Sequence, residues 1–178
     1  MKHVVILLLL FAGGIQRLPA DEKSLPWTFV SIPDFLNFDI EYPQEGWEDA
    51  LGFILESMKK EAPAFVMVAG DLVMGHWGTG KKEIDEWAEK YYPPWVGRFK
   101  DHGLKVYTAL GDHEVGDNPW RGKKAAAVPF YKAAFRRYLK MPLNGPAHMQ
   151  GTAFHWRHKN ALFVSVDVFE KAPGRQGE

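Results

Sequence analysis

The chain has 178 residues, of which 46% are hydrophobic and 14% aromatic, so it can form one globular domain and is not a disordered protein. Its 22 basic and 22 acidic residues cancel, which argues against general binding to nucleic acid. The absence of cysteine excludes disulfides, thiolate zinc sites, cysteine nucleophiles and a lipoprotein anchor.

The first 20 residues have the pattern of a secretory signal peptide. Lys2 provides a basic start, residues 4–11 form an unbroken apolar run, and Ala20 is a small residue ahead of a polar stretch. This apolar run is shorter than the roughly 20 residues that a membrane span needs. We therefore expect a signal peptide over 1–20, a secreted or periplasmic protein, and no membrane span in the mature chain. An uncleaved anchor or a buried first strand is the alternative.

The next part of the chain alternates between strand and helix patterns. Apolar and β-branched runs over 27–33, 64–69 and 105–110 predict three strands. Apolar residues at helical spacing predict one helix over 47–58 and another over 84–99, which the Pro-Pro pair inside it should interrupt. This alternation predicts right-handed crossovers and a mainly parallel sheet.

The C-terminal third predicts a helix followed by a hairpin. Pro129 occupies a plausible helix start. Two strand-like runs over 152–157 and 161–166 are separated by a short polar turn, which is typical of a β-hairpin. We expect one α/β domain over 25–171 and a disordered tail over 172–178.

Charge is distributed unevenly along the chain. Residues 21–117 contain 19 acidic and 9 basic residues, whereas residues 118–166 contain 9 basic residues and no acidic one. A carboxylate-rich part beside a basic part suits metal cations in one place and an anionic substrate nearby. For each basic residue taken alone, a solvated helix face is the favoured interpretation.

Two of the predicted strands stop at a Gly-Asp pair. Gly70 and Asp71 follow the second strand, Gly111 and Asp112 follow the third strand 41 residues later, and Asp34 follows the first. Neighbouring parallel strands end at one edge of a sheet, where α/β folds place their ligands, so the three aspartates should converge. Because crowded carboxylates repel one another and a divalent cation removes that cost, the pattern predicts a metal site.

These motifs resemble those of the calcineurin-like metallophosphoesterases, which include purple acid phosphatases and secreted nucleotidases. The family has Asp-x-His at the first strand, Gly-Asp-x-x at the second and Gly-Asn-His-Glu/Asp at the third. Residues 70–73 match the second motif, and residues 111–114 match the third except at one position. The resemblance covers residues 27–169 and implies an αββα β-sandwich flanked by helices. It also implies two divalent metal ions and hydrolysis of a small phosphate ester by a metal-bridging hydroxide.

The resemblance assigns a role to each matching residue. Asp34 would hold the first metal ion, Asp71 would bridge the two ions, and Asp112 would hold the second. His113 would act as a general acid or as a donor to the transferring phosphoryl group. Apart from the resemblance, Glu114 is a candidate to orient the imidazole of His113, as carboxylates near metal sites often do.

The sequence departs from the family pattern in three ways. Leu36 stands where the family has a ligating His, which makes the oxygens of Asn37 and Asp39 candidate replacements. Asp112 stands in place of the family's Asn. Both changes favour manganese, magnesium or ferrous iron over zinc, so among Mn, Fe and Zn the first two are preferred. The family's later His and its Gly-His-x-His have no match here, so we expect a fold incomplete at its C-terminus, as in a fragment of a longer enzyme.

Two further residues are candidate substrate contacts, His76 in a glycine-rich loop and Arg121 in the basic part. An exposed position in a mobile loop is the competing interpretation of His76. The alternative function is a degenerate or truncated, non-catalytic module of the same fold that binds an anionic ligand through the basic part. A nucleotide-binding domain is disfavoured, because neither the dinucleotide fingerprint nor the P-loop sequence is present.

Overall fold

The computed structural model of the chain describes residues 26–35 and 43–169. The predicted signal peptide and tail, as well as Asn37 and Asp39, lie outside the described residues. The described chain has a mixed α/β architecture, with two short 3₁₀ turns between its main elements. These elements are β1 (Val30–Ile32), α1 (Trp47–Lys60), β2 (Val66–Val68), α2 (Lys81–Asp101), β3 (Val106–Thr108), α3 (Lys123–Leu139), β4 (Phe154–His158) and β5 (Ala161–Ser165).

The first three strands form the predicted parallel sheet, with β2 in the centre. Val66 of β2 pairs with Val30 of β1 and with Val106 of β3, and the register continues through all three residues of each strand. Val66 and Val68 are fully buried, as the unbroken apolar run indicates. Because α1 and α2 return the chain to the same end of the sheet each time, the carboxyl ends of the three strands are neighbours.

Helix α2 is continuous where the sequence predicts an interruption. It extends over Lys81–Asp101 and includes Pro93 and Pro94. Each proline removes one backbone N–H donor from the helix. However, Tyr92 and Trp95 on either side of the pair are buried in the core, and this burial keeps the helix in place. Tertiary packing therefore overrides the local preference, and the predicted break is wrong.

Helix α3 begins at Lys123, six residues before the proline that the sequence analysis placed at a helix start. Pro129 lies in the second turn of the helix instead. Three consecutive alanines over 125–127 precede it, and alanine has the highest helix propensity of all residues. These residues extend the helix in the N-terminal direction, which is why the predicted start is wrong.

Strands β4 and β5 form the predicted antiparallel hairpin and pair along their full length. An aromatic cluster joins this hairpin to the parallel sheet. The ring of Trp156 stacks on Tyr107 of β3 with centroids 4.1 Å apart, and it contacts the edge of Phe65 at 5.6 Å. The second sheet is thus fastened to the first through ring contacts. Within the described residues, none of the helices combines the length and the apolar character needed to cross a bilayer.

Candidate metal centre

The backbone turns sharply at the end of β2. Gly70 and Asp71 have φ angles of +109° and +54°. The left-handed region costs a residue with a side chain about 1–2 kcal/mol, although Asp tolerates it better than most. Gly70 also lies against the end of β3, since a Cβ there would come within 2.6 Å of the Gly111 nitrogen. Both its φ angle and this close approach require glycine.

The end of β3 is equally crowded, but for a different reason. A Cβ on Gly111 would lie 2.2 Å from Asp71 Oδ1 and 2.7 Å from Glu114 Oε2. Asp112 then has an ordinary φ of −72° and precedes a single 3₁₀ turn over His113–Val115. Gly111 is therefore needed for space, and the following turn directs the next side chains towards β2.

Glu114 connects the two strand ends. Its fully buried carboxylate accepts hydrogen bonds through Oε2 from the backbone N–H groups of Asp71 and Gly111, both at 2.8 Å, and through Oε1 from Leu72 at 2.7 Å. Burial raises the pKa of Glu114 to about 7, although these three donors oppose the shift. The expectation that Glu114 orients His113 is corrected: its oxygens accept backbone N–H groups from the two turns.

The imidazole of His113 is oriented by Met74 instead. Its Nδ1 lies 2.7 Å from the Met74 carbonyl oxygen. A carbonyl only accepts, so Nδ1 carries the hydrogen, and Nε2 is left to bind a metal or to carry a transferable proton. Burial lowers the pKa of His113, but the bond to Met74 and the carboxylates of Asp71, Asp112 and Asp117 raise it, and the balance lies above its usual 6.5.

Asp71, Asp112 and His113 converge between the two strand ends. Each of these half-buried residues places one ligand atom within 4.8 Å of the other two. We refer to the three as the carboxylate site. The pKa of Asp71 is raised above its usual value, mainly by burial and also by the carboxylates of Asp112 and Asp34. His113 opposes this shift without cancelling it. A divalent cation would relieve this repulsion, and two carboxylates with one imidazole suit Mn²⁺, Fe²⁺ or Zn²⁺.

Asp34 lies at the same edge of the sheet but outside this group of three. It follows β1 with a φ of +37°, and its carboxylate is near enough to raise the pKa of Asp71. The next residue is held in place, because the indole N–H of Trp95 donates to the Phe35 carbonyl at 3.0 Å. The structure thus brings Asp71 and Asp112 together at the strand ends, whereas Asp34 is not part of that group.

A second group of possible ligands adjoins the carboxylate site. His76, His113 and Asp117 also place ligand atoms within 4.8 Å of one another. His76 Nε2 lies 3.2 Å from Asp117 Oδ2, and the side-chain amide of Asn118 donates to Asp112 Oδ2 at 2.9 Å. From the sequence, His76 is predicted only as a substrate contact, and its pairing with Asp117 is not predicted. The pairing joins two loops 41 residues apart, so no local sequence pattern predicts it.

Part of the basic region holds the fold together. Lys132 of α3 is buried and lies 2.8 Å from the buried carboxylate of Asp167. Arg136 donates to the His148 carbonyl at 3.2 Å. Arg121 is exposed just before α3, and among the described residues no side-chain hydrogen bond or ion pair links it to the carboxylate site. These contacts account for several basic residues without an anionic ligand.

A scan against protein-family models gives no match for this chain, and a search of curated proteins also gives none. The geometry of the carboxylate site is therefore the basis for any functional conclusion.

Proposed function

We propose that the protein hydrolyses a small phosphate ester with the help of divalent cations. We also propose that it is related to the calcineurin-like metallophosphoesterases and has their sandwich arrangement of sheets. The observation that carries this proposal is the convergence of Asp71, Asp112 and His113 within 4.8 Å at the ends of two neighbouring parallel strands. Strand-end carboxylates at this position of an α/β sheet favour ligand binding over a structural role.

The site residues would have separate metal-binding and proton-donating roles. Asp71 and Asp112 would hold one cation, and Asp71 with Asp34 a second, with Mn²⁺ or Fe²⁺ preferred over Zn²⁺ by this oxygen-rich set. When bound, such ions lower the pKa of water and polarise phosphoryl oxygens. The bond from Nδ1 to the Met74 carbonyl leaves Nε2 of His113 available, and it would donate to the leaving oxygen or to charge on the phosphoryl group.

The remaining parts of the proposal follow from the sequence. The N-terminal pattern supports an exported protein. The zero net charge of the chain favours a small phosphoester over a nucleic-acid partner. Export and the small phosphoester substrate are both tested by measurements on the full chain.

The proposal is tested with the full chain, p-nitrophenyl phosphate and added Mn²⁺. We expect Mn²⁺-dependent turnover, and we expect Asp71→Asn to lower kcat/KM by about 100-fold or more, a loss of roughly 3 kcal/mol of transition-state stabilisation. Asp101→Asn removes an exposed carboxylate at the end of α2 and is the matched control. An inactive chain in which Asp71→Asn changes nothing would refute the proposal.

The role of His113 has its own test. His113→Asn should lower kcat while calorimetry shows unchanged Mn²⁺ affinity, because the imidazole acts on the substrate. A parallel loss of Mn²⁺ affinity would make His113 a metal ligand and remove it from proton transfer. Calorimetry also addresses the alternative function: Mn²⁺ binding weaker than about 1 mM, or −4 kcal/mol, would support a non-catalytic module.

A further inference from the structure

We propose that His76, His113 and Asp117 form a separate site for Zn²⁺ or a similar nitrogen-binding cation, and that filling it withdraws His113 from the carboxylate site. We call these three residues the histidine site. One ligand atom of each lies within 4.8 Å of the other two. Zinc binding needs neither substrate nor turnover, so this part of the inference is independent of the proposed function. Only its inhibitory consequence rests on that function.

The loop that carries His76 is pressed against the turn that carries His113. Gly75 has a φ of +71°, and a Cβ on it would lie 1.8 Å from the His113 carbonyl oxygen. Met74, one residue earlier, accepts the hydrogen bond from His113 Nδ1. The two imidazoles consequently face the same space, with ring centroids 6.3 Å apart.

His76 is exposed, as the competing interpretation expects, but the loop that carries it is anchored in the core. The buried Tyr131 hydroxyl lies within hydrogen-bond distance of the Gly75 and Gly78 carbonyls, at 2.9 and 3.0 Å. It also accepts from the backbone N–H of Trp77 at 3.2 Å, and the Trp77 ring stacks on Tyr131 at 5.7 Å. A ligand on an anchored loop loses little conformational entropy when it binds a metal.

Asp117 is also held before any ion binds. Its Oδ1 accepts from the backbone N–H of Asn118 at 2.7 Å, while Oδ2 faces His76 at 3.2 Å. Two imidazoles and one carboxylate are a donor set that zinc favours, with a fourth position left for water. The His76 side chain is 54% exposed, so an ion can reach the site from solvent. By contrast, the carboxylate site offers two oxygens and one nitrogen.

The two sites cannot both be complete. His113 donates through Nδ1 to Met74, so Nε2 is its one remaining nitrogen, and it either binds an ion in the histidine site or carries a proton for the carboxylate site. An ion in the histidine site occupies this nitrogen and prevents it from carrying a proton. We therefore expect Zn²⁺ to inhibit Mn²⁺-supported hydrolysis by competing for His113 rather than for the aspartates.

Calorimetry with Zn²⁺ on the full chain is the first test, with His76→Ala and Asp117→Asn as variants. Removing a ligand should weaken this Zn²⁺ affinity by about 100-fold for His76→Ala and about tenfold for Asp117→Asn. His155→Ala removes an exposed histidine on β4 and should leave it unchanged. Equal Zn²⁺ affinity in His76→Ala and the parent chain would overturn the site.

Imidazole nitrogen NMR on the ¹⁵N-histidine-labelled chain identifies the ligands directly. Substoichiometric Zn²⁺ should shift Nε2 of both His76 and His113. A shift of His113 without His76 would place zinc in the carboxylate site and refute the inference. Inhibition by Zn²⁺ is then expressed relative to each variant's own Mn²⁺-dependent rate. If the chain lacks that rate, the proposed function fails, while the calorimetric and NMR results still decide the histidine site.

Discussion

The two Gly-Asp pairs at the ends of β2 and β3 are alike in sequence but differ in backbone conformation. Gly70 and Asp71 both have positive φ angles, +109° and +54°, whereas Asp112 has a φ of −72° and precedes a 3₁₀ turn. At β2 the turn itself requires glycine. At β3 the crowding around Gly111 requires it, because any Cβ would meet Asp71. The same two letters therefore satisfy two different physical demands.

One carboxylate joins these unlike turns. Glu114 accepts a backbone N–H from each of them, so the relative position of Asp71 and Asp112 depends on a residue that need not touch the metal. The ends of β2 and β3 thus form one unit held by buried hydrogen bonds, which are costly to break. Changes to either end should be felt at both aspartates.

The largest effects are expected from the glycines. Gly70→Ala combines a φ of +109° with a Cβ 2.6 Å from the Gly111 nitrogen, so it should lower the free energy of unfolding by about 3 kcal/mol or more. Gly111→Ala introduces only crowding and should lower the free energy of unfolding by about 2–3 kcal/mol. Urea unfolding measures both losses and shows whether the positive φ with a close contact at Gly70 destabilises the chain more than crowding alone at Gly111.

Gly52→Ala in helix α1 is the matched control. A Cβ there meets no atom within 4 Å, so the substitution should be neutral or should stabilise the chain by up to about 1 kcal/mol. A Gly70→Ala variant as stable as Gly52→Ala would show that the β2 turn can relax. The distinction between the two strand ends would then be lost.

The next effect tests the link between the strand ends through pH. The pKa of Glu114 is about 7 in the folded chain and about 4.5 when unfolded, so the folded state binds more protons between these values. This difference in proton binding contributes roughly 3 kcal/mol to the free energy of unfolding below pH 4.5, and the contribution is lost as the pH rises to 7. Glu114→Gln should lack this slope in metal-free urea unfolding.

The absolute stability of Glu114→Gln should also fall, because one amide oxygen cannot replace two carboxylate oxygens that accept three backbone donors. The fall in stability between pH 4.5 and 7 is the result that identifies Glu114, because Asp71 titrates in both the parent chain and the variant. If the parent and the variant lose stability in parallel from pH 4.5 to 7, the pKa of Glu114 is not raised and the buried link is weaker than its geometry indicates.

The sequence predicts the strand ends well, but it does not predict the link. Apolar runs and a following Gly-Asp are local features, so β2, β3 and the positions of Asp71 and Asp112 follow from them. The contacts of Glu114 with Leu72 and the pairing of His76 with Asp117 join loops about 40 residues apart. They depend on how the loops pack, which no spacing encodes. The continuous α2 helix is a similar case, because burial outweighs its prolines.

Metal affinity sharpens the comparison of the two aspartates. The carboxylates of both Asp34 and Asp112 raise the pKa of Asp71, whereas one oxygen of Asp112 already accepts the amide of Asn118. Asp71→Asn should therefore weaken Mn²⁺ binding by about 100-fold and Asp112→Asn by about tenfold, since fewer ligand charges lower affinity. Calorimetry provides both values, and equal losses would show that Asp71 contributes no more to Mn²⁺ binding than Asp112 does.

The smallest effect concerns Asn118, which steadies only the β3 end. Asn118→Ala removes the hydrogen bond to Asp112 Oδ2, which is exposed, so the free energy of unfolding should fall by about 1 kcal/mol or less. Mn²⁺ affinity should fall by about twofold to fivefold, because Asp112 then loses a fixed orientation. Asn144→Ala removes two bonds of similar length, to the backbone of His155, and should lower stability without changing Mn²⁺ affinity. If both variants bind Mn²⁺ like the parent chain, the 3₁₀ turn alone orients Asp112, and the β3 end depends less on side-chain support than the β2 end does on Glu114.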